Sequence, residues 1–258
     1  MHGPYGTAAT LRKGRAKLMR HRALLGALVG AMFVLAAGCT SSTPEHKASN
    51  PEKASTQENK AYAPHIDPSE FTTKVDNEYL PMKPGTTFVY EGGAEHDEMS
   101  VTSDTKKVMG VECVVVDDRA WEGGQLIEKT YDWFAQDKEG TVWYFGEDTK
   151  EYKNGKVVST KGSWEAGVDG AKPGIIMQAH PKVGQTYRQE YYKGEAEDMA
   201  KVLSLNESVT VPYGSFDHVL VTKEWTPLEP SYHEHKYYAR GVGHVYGGGL
   251  ELVDVKMG

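Results

Sequence analysis

Apolar and polar residues alternate with a period of two over much of the chain beyond residue 85. The clearest run is 201–211 (KVLSLNESVTV), where Leu203, Leu205, Val209 and Val211 fall on one face and Ser204, Asn206, Ser208 and Thr210 on the other. Successive side chains of a strand point to opposite faces, so this run predicts a strand with one wet face. Shorter runs rich in Val, Thr, Tyr, Phe and Trp recur at 86–90, 98–105, 111–121, 126–136, 141–146, 156–160, 186–192, 217–225, 233–240 and 244–255. Turn residues separate them, among them Lys83-Pro84-Gly85, Met109-Gly110, Gly123-Gly124, Asp137-Lys138-Glu139-Gly140 and Pro212-Tyr213-Gly214. Asn154-Gly155 is the sharpest hairpin signal, because a two-residue turn of the right twist needs two left-handed residues. Residues 162–185, with five Gly and two Pro, read as loop. The segment 194–200 (GEAEDMA) reads as a short helix or as the start of the long strand. Roughly ten strands joined by hairpins predict an all-β fold, either a single antiparallel, strongly curved sheet or a partly open β-barrel, with little helix.

The first 64 residues break this pattern. Residues 11–22 (LRKGRAKLMRHR) are basic, and 23–37 (ALLGALVGAMFVLAA) form an uncharged apolar run of 15 residues. That is the length of a signal-peptide core and falls short of the ~20 residues of a membrane-spanning helix. The run ends in Leu35-Ala36-Ala37-Gly38-Cys39. It resembles the lipobox of bacterial lipoproteins, with Ala36 in the third place before the cysteine and Leu35 one position earlier. The resemblance implies lipidation of Cys39 through a thioether, cleavage after Gly38 and a further acyl chain on the new amine. Two or three chains anchor stably where one does not. Residues 40–64 hold Ser, Thr, Pro, Lys, Glu and Asn with almost nothing apolar. Such a segment predicts a flexible tether with a reach of roughly 25–30 Å. The expected organisation is a signal peptide at 1–38, the lipidated cysteine and tether at 39–64, and a β domain at 65–258. The expected location is extracytoplasmic, lipid-anchored to the bacterial cell membrane.

Charge narrows the partners. Six basic residues precede Cys39 with no acidic one, so the remaining chain carries 23 Lys and Arg against 36 Asp and Glu, a net charge of −13. That balance repels phosphate backbones and argues against nucleic acid. Beyond Cys39 the chain has one further cysteine, Cys113, set among Val111, Val114, Val115 and Val116. A single thiol makes no intramolecular disulfide, and apolar neighbours predict a buried, structural one.

Five segments carry a family likeness: 77–91 (NEYLPMKPGTTFVYE), 132–137 (DWFAQD), 142–149 (VWYFGEDT), 162–167 (GSWEAG) and 236–243 (KYYARGVG). Over about 76–246 the chain resembles an uncharacterised family of bacterial secreted proteins and lipoproteins. The endings 211–216 and 237–243 also look like the last strands of β-sheet periplasmic lipoproteins. The resemblance implies a β-rich envelope protein and assigns no activity, cofactor or catalytic residue.

Three sets of residues carry candidate chemistry. His233 and His235 flank Glu234. On a strand the two imidazoles share a face while Glu234 faces away, so both could reach one Zn or Cu ion. His180, His218 or His244 would supply a third ligand. The alternative is a strand with a solvated face. The carboxylates Asp132, Asp137, Glu139, Glu147 and Asp148 crowd one hairpin, and Glu195, Glu197 and Asp198 form a second group. Oxygen ligands at a turn suit Ca²⁺, and paired carboxyls suit glycoside chemistry, but neither group has the spacing of a known motif. Solubilising turn residues are the simpler reading. No Gly-x-Ser-x-Gly elbow, phosphate loop or His-Glu-x-x-His occurs.

The third set is aromatic. Five Trp and 15 Tyr exceed what solubility needs, and rings can line a ligand cavity or fill a β core. The candidate ligand-binding residues are Trp133, Trp143, Trp164 and Trp225. Trp164 comes first because its Gly-rich neighbourhood predicts a loop rather than core. The leading expectation is a non-catalytic binding lipoprotein holding a small or amphiphilic ligand or a cell-envelope component. The alternatives are a metal-binding protein or metal-dependent enzyme using His233, His235, His218 and His244, and a structural envelope protein with protein partners.

Overall fold

The structure, a computed structural model, describes residues 62–258. The expected signal peptide, Cys39 and the tether up to residue 61 lie outside the described residues. Sixteen strands follow one another: β1 (Phe71–Thr72), β2 (Thr86–Gly92), β3 (Glu95–Val108), β4 (Val111–Glu122), β5 (Gln125–Asp137), β6 (Val142–Lys153), β7 (Lys156–Ser159), β8 (Trp164–Glu165), β9 (Lys172–Met177), β10 (Thr186–Arg188), β11 (Glu190–Tyr191), β12 (Met199–Val211), β13 (Gly214–Trp225), β14 (Glu234–Ala239), β15 (Gly243–Gly247) and β16 (Leu250–Met257). The described residues contain no α-helix, only a 3-10 turn at Pro68–Glu70.

All sixteen belong to one antiparallel sheet. Its path runs β10-β12-β13-β14-β15-β16-β2-β3-β4-β5-β6-β9-β11, with β1 added to β5 and with β7 and β8 added to β6. The two ends of the path are consecutive pieces of one segment. Thr186–Arg188 pairs with β12, and Glu190–Tyr191 pairs with β9. The sheet therefore curls into a nearly closed barrel, as the expected all-β, curved-sheet class requires. Hairpin turns permit it: Asn154 and Gly155 take φ of 53° and 73°, the left-handed pair the sequence predicts.

Inward faces follow the period of two. Phe134, Asp132 and Thr130 face inward from β5, and Leu220, Thr222 and Glu224 from β13. Tyr238, Lys236 and Glu234 do so from β14. Along each of these strands the interior passes from apolar to polar. The apolar end is crossed by residues 66–85. Gln136 Oε1 accepts from Asp76 N at 3.0 Å and Asn77 N at 2.8 Å, Gly241 N donates to Glu78 O at 2.7 Å, and Val75, Tyr79, Leu80 and Met82 are buried beneath. This segment plugs the end from the β5–β6 turn to the β14–β15 turn.

Several expectations need correction. Residues 162–185 are not all loop, since β8 and β9 lie within them and complete the wall beside β6. Gly146 explains the tight join: a Cβ there would sit 2.3 Å from Trp164 O. The segment 194–200 forms no helix, and its last two residues start β12. The stretch 244–255 is two strands turned at Gly248-Gly249, both at positive φ. The clean alternation at 201–211 is broken by three register shifts against β13, so Val202 is buried and Leu203 exposed. Sequence alternation assumes an unbroken pleat, and each bulge inverts the faces beyond it.

Candidate functional site

Two places on the barrel carry unusual physical chemistry. The first is a groove of about 250 Å³ at the plugged end, lined by Pro81, Lys83, Thr86, Phe88, Tyr213, Gly241, Val242, Val255 and Met257. Pairing builds it: Phe88 lies opposite Val255, and Thr86 opposite Met257. The turns at Pro212-Tyr213 and Gly241-Val242 supply the remaining walls. Phe88 sits above Tyr90 on the inward face of β2, so the floor of the groove is the top of the core. Met257 and Tyr213 are exposed at the rim, apolar surface left in water at a concave site. Among the groove residues Lys83 alone carries a charged side chain.

The second place is the polar half of the interior. On β5 and β6, Asp132 and Glu147 are directly paired across the strands. Tyr144 Oη donates to Asp132 Oδ1 at 2.7 Å. Thr149 Oγ1 donates to Glu147 Oε2 at 3.0 Å. Burial pushes the carboxyls of Asp132, Glu147 and Glu190 well above the ordinary range. Neighbouring acids add to it: Asp118 on Asp132, Asp132 on Glu147, and Asp198 on Glu190.

Across the interior, Lys236 Nζ stands 2.9 Å from Glu224 Oε2 and 3.4 Å from Glu234 Oε1. Glu224 Oε1 also accepts from Thr222 Oγ1 at 2.8 Å and Tyr238 Oη at 3.0 Å. Burial opposes the charge of Lys236, but Glu224 and Glu234 outweigh it and hold the ammonium above its ordinary range. Burial also raises Glu234 to about 7 and Asp198 to about 6. His244 lies between the rings of Tyr90 and Tyr238, at 5.4 Å and 5.5 Å, and burial followed by Lys236 lowers it to about 3.

The four histidines proposed as metal ligands do not converge. His233 and His235 are exposed neighbours, ring centroids 6.3 Å apart, and Glu234 faces the other way as the strand period requires. His244 is buried inside the barrel. His218 is exposed against Asn206, five residues along β13 from the partner of His235, about 16 Å at ~3.3 Å per residue. His180 is exposed in the segment after β9. Among the described residues no group of three or more His, Cys, Asp or Glu is placed to hold a metal ion.

The tryptophans separate in the same way. Trp133 is buried in the core cluster, with Lys106 Nζ 3.9 Å over its ring. Trp143 packs on Phe71 and donates Nε1 to Asp137 Oδ2 at 2.8 Å. Trp225 is half-buried with Lys223 Nζ 6.0 Å above it. Trp164 is buried on β8, opposite Glu147, its ring edge-on to Tyr144 at 5.2 Å. It is interior wall, not a mobile ligand contact, and the four share no cavity. Cys113 is buried as expected, and burial pushes its thiol up to about 12.

Sequence reasoning missed Phe88, Val242, Glu190, Glu224 and Lys236. Two of the missed networks had a signal. Leu220-x-Thr222-x-Glu224 and Glu234-x-Lys236-x-Tyr238 put polar groups two apart on what must be an inward face. The groove had none, because turns distant in sequence assemble it. Comparisons with protein-family models, with curated proteins and with solved structures each return no match.

Proposed function

We propose that this chain is a lipid-anchored, extracytoplasmic protein of the bacterial envelope, one of a family of β-rich lipoproteins. Its barrel binds a small amphiphilic ligand without transforming it. The groove at the plugged end carries the reading: it is concave, predominantly apolar and rimmed by the Lys83 ammonium. An apolar body would lie on Phe88, Val242, Val255 and Met257, with an anionic head at Lys83. Its volume lies just under the ~300–1,000 Å³ of drug-sized pockets, which suits one short acyl chain or one ring system rather than a glycan chain. The anchor rests on Cys39 and its apolar leader, and the tether would hold the barrel clear of the membrane surface.

Titration with a fluorescent short-chain fatty acid tests the site. Saturable one-to-one binding is expected, at least tenfold weaker in Val242→Trp, which fills the groove. Lys83→Glu is expected to weaken the anionic probe and spare a neutral analogue. Binding that neither substitution changes would place the ligand elsewhere and overturn this reading.

A further inference from the structure

The barrel closes at a sparsely paired joint, with no more strand pairs than β15–β16. The segment 186–191 pairs with β12 through Thr186, Tyr187 and Arg188, then crosses at Gln189 and pairs with β9 through only Glu190↔Pro173 and Tyr191↔Lys172. By contrast β4 is paired along nearly its whole length with β3 and β5. Contact at the crossing is close: a Cβ on Gly174 would sit 2.0 Å from Gln189 O. Gln189 N and Glu190 N both donate to Asp198 O, at 2.8 Å and 3.3 Å, so the residue ahead of β12 clamps the turn.

The two faces of this joint differ in kind. Inside, Glu190 is buried, and its Oε1 has no hydrogen-bond partner among the described residues. The principal charged groups acting on it among the described residues are Asp198 from ahead of β12, Glu147 from β6, Asp132 from β5 and the ammonium of Lys236 from β14. Tyr144 of β6 stands beside the same acids, and Glu224 of β13 adds its charge at Asp198. Glu190 Oε1 lacks a donor, and a buried carboxylate without one is costly, so in the shut barrel burial and the neighbouring acids hold the proton on Glu190. Outside, Tyr62 bridges both strands. Its hydroxyl donates to Pro173 O at 2.8 Å, its carbonyl accepts from Lys172 Nζ, and its ring lies 5.5 Å from Tyr191 with Arg188 5.7 Å above it.

We propose that the β9–β11 joint is a proton-operated gate, shut and strapped by Tyr62 while Glu190 and Asp198 are protonated and parting when they ionise. Ionisation leaves Glu190 and Asp198 as adjacent buried charges, with Lys236 already committed to Glu224 and Glu234. Such charges are stable only when hydrated, so their ionisation favours parting of β9 from β11 and entry of water, while the fully paired strands remain. The gate exposes the polar half of the interior, at the end away from the groove, and does not depend on the groove reading. Linkage sets its steepness. Each proton released on opening raises the open-to-shut ratio about tenfold per pH unit, between the water-exposed and buried titration ranges.

Hydrogen–deuterium exchange of the full mature chain at pH 5.5, 6.5 and 7.5, corrected for intrinsic rates, tests the gate. Peptides covering 172–177 and 186–192 are expected to lose protection about tenfold per pH unit relative to 111–122. Glu190→Gln is expected to flatten that slope. Asp198→Asn, which keeps an oxygen toward Thr226, is expected to reduce it and serves if the first variant does not fold. Tyr62→Ala is expected to lower protection at the joint at every pH without touching 111–122. Protection that changes equally in both regions, does not change with pH, or keeps its slope in the Gln and Asn variants would overturn the gate.

Discussion

Replacing Lys236 with Met removes the cation at the centre of the polar interior. Lys236 is 4% exposed and serves Glu224 at 2.9 Å and Glu234 at 3.4 Å. Met fills similar volume and supplies no charge. Glu224 keeps its bonds from Thr222 and Tyr238, yet its second oxygen is left facing an apolar thioether. Breaking a buried pair by removing one partner costs about 3–5 kcal/mol, mostly the cost of the stranded charge. At ~2–4 °C per kcal/mol for a domain of this size, Tm should fall by roughly 10 °C. Urea unfolding at pH 7.5 measures the loss directly as a lower midpoint at unchanged slope. The double variant Lys236→Met with Glu224→Gln is expected to recover most of it, because the stranded carboxylate is gone. At pH 5 the single variant should recover in part, since Glu234, freed from the lysine that pulls it down, holds its proton more firmly. A loss under about 1 kcal/mol, or a double variant no better than the single one, would refute the claim that Lys236 compensates buried charge.

Stability of the whole barrel should fall from pH 5 to pH 8. Glu234 and Asp198 are raised to about 7 and about 6, so their contribution is full below the ordinary carboxyl range and lost as pH rises through those values. His244, lowered to about 3, works the other way: its contribution is full above pH 6.5 and lost as pH falls. The raised acids outnumber it, and Tm scans across this range check the sign; a Tm higher at pH 8 would contradict it. Trp164→Ala should cost about 3–5 kcal/mol as a core truncation and leave affinity for the fatty-acid probe unchanged, read by parallel unfolding and titration.

The wall of the barrel was legible in the sequence because strands and turns are local. Asn154-Gly155, Gly123-Gly124 and the runs at 111–121 and 126–136 each specify their own conformation. The closure was not legible. β8 and β9 hide among glycines, since Gly146 and Gly174 are needed where backbone meets backbone too closely for a Cβ. Trp164 illustrates the cost: Gly-rich flanks predict mobility, whereas here they let a bulky ring seat on the interior wall. The histidine pair shows the limit of spacing. Period two correctly put His233 and His235 on one face, but the third ligand depended on tertiary placement, and His244 lies on the other side of the sheet. The acidic hairpin was half legible, for Asp132 and Glu147 do come together, but buried and shared with Tyr144 rather than open to an ion or a sugar.

The most direct measurement is native mass spectrometry of the full chain purified from a bacterial envelope under mild detergent, set against its denatured mass. The expected result is one organic ligand per chain, of the mass of a short amphiphile, absent from Val242→Trp and displaced by the fatty-acid probe. A bare chain that also fails to bind the probe, or an added mass retained in Val242→Trp, would contradict a binding barrel with its site in the end groove.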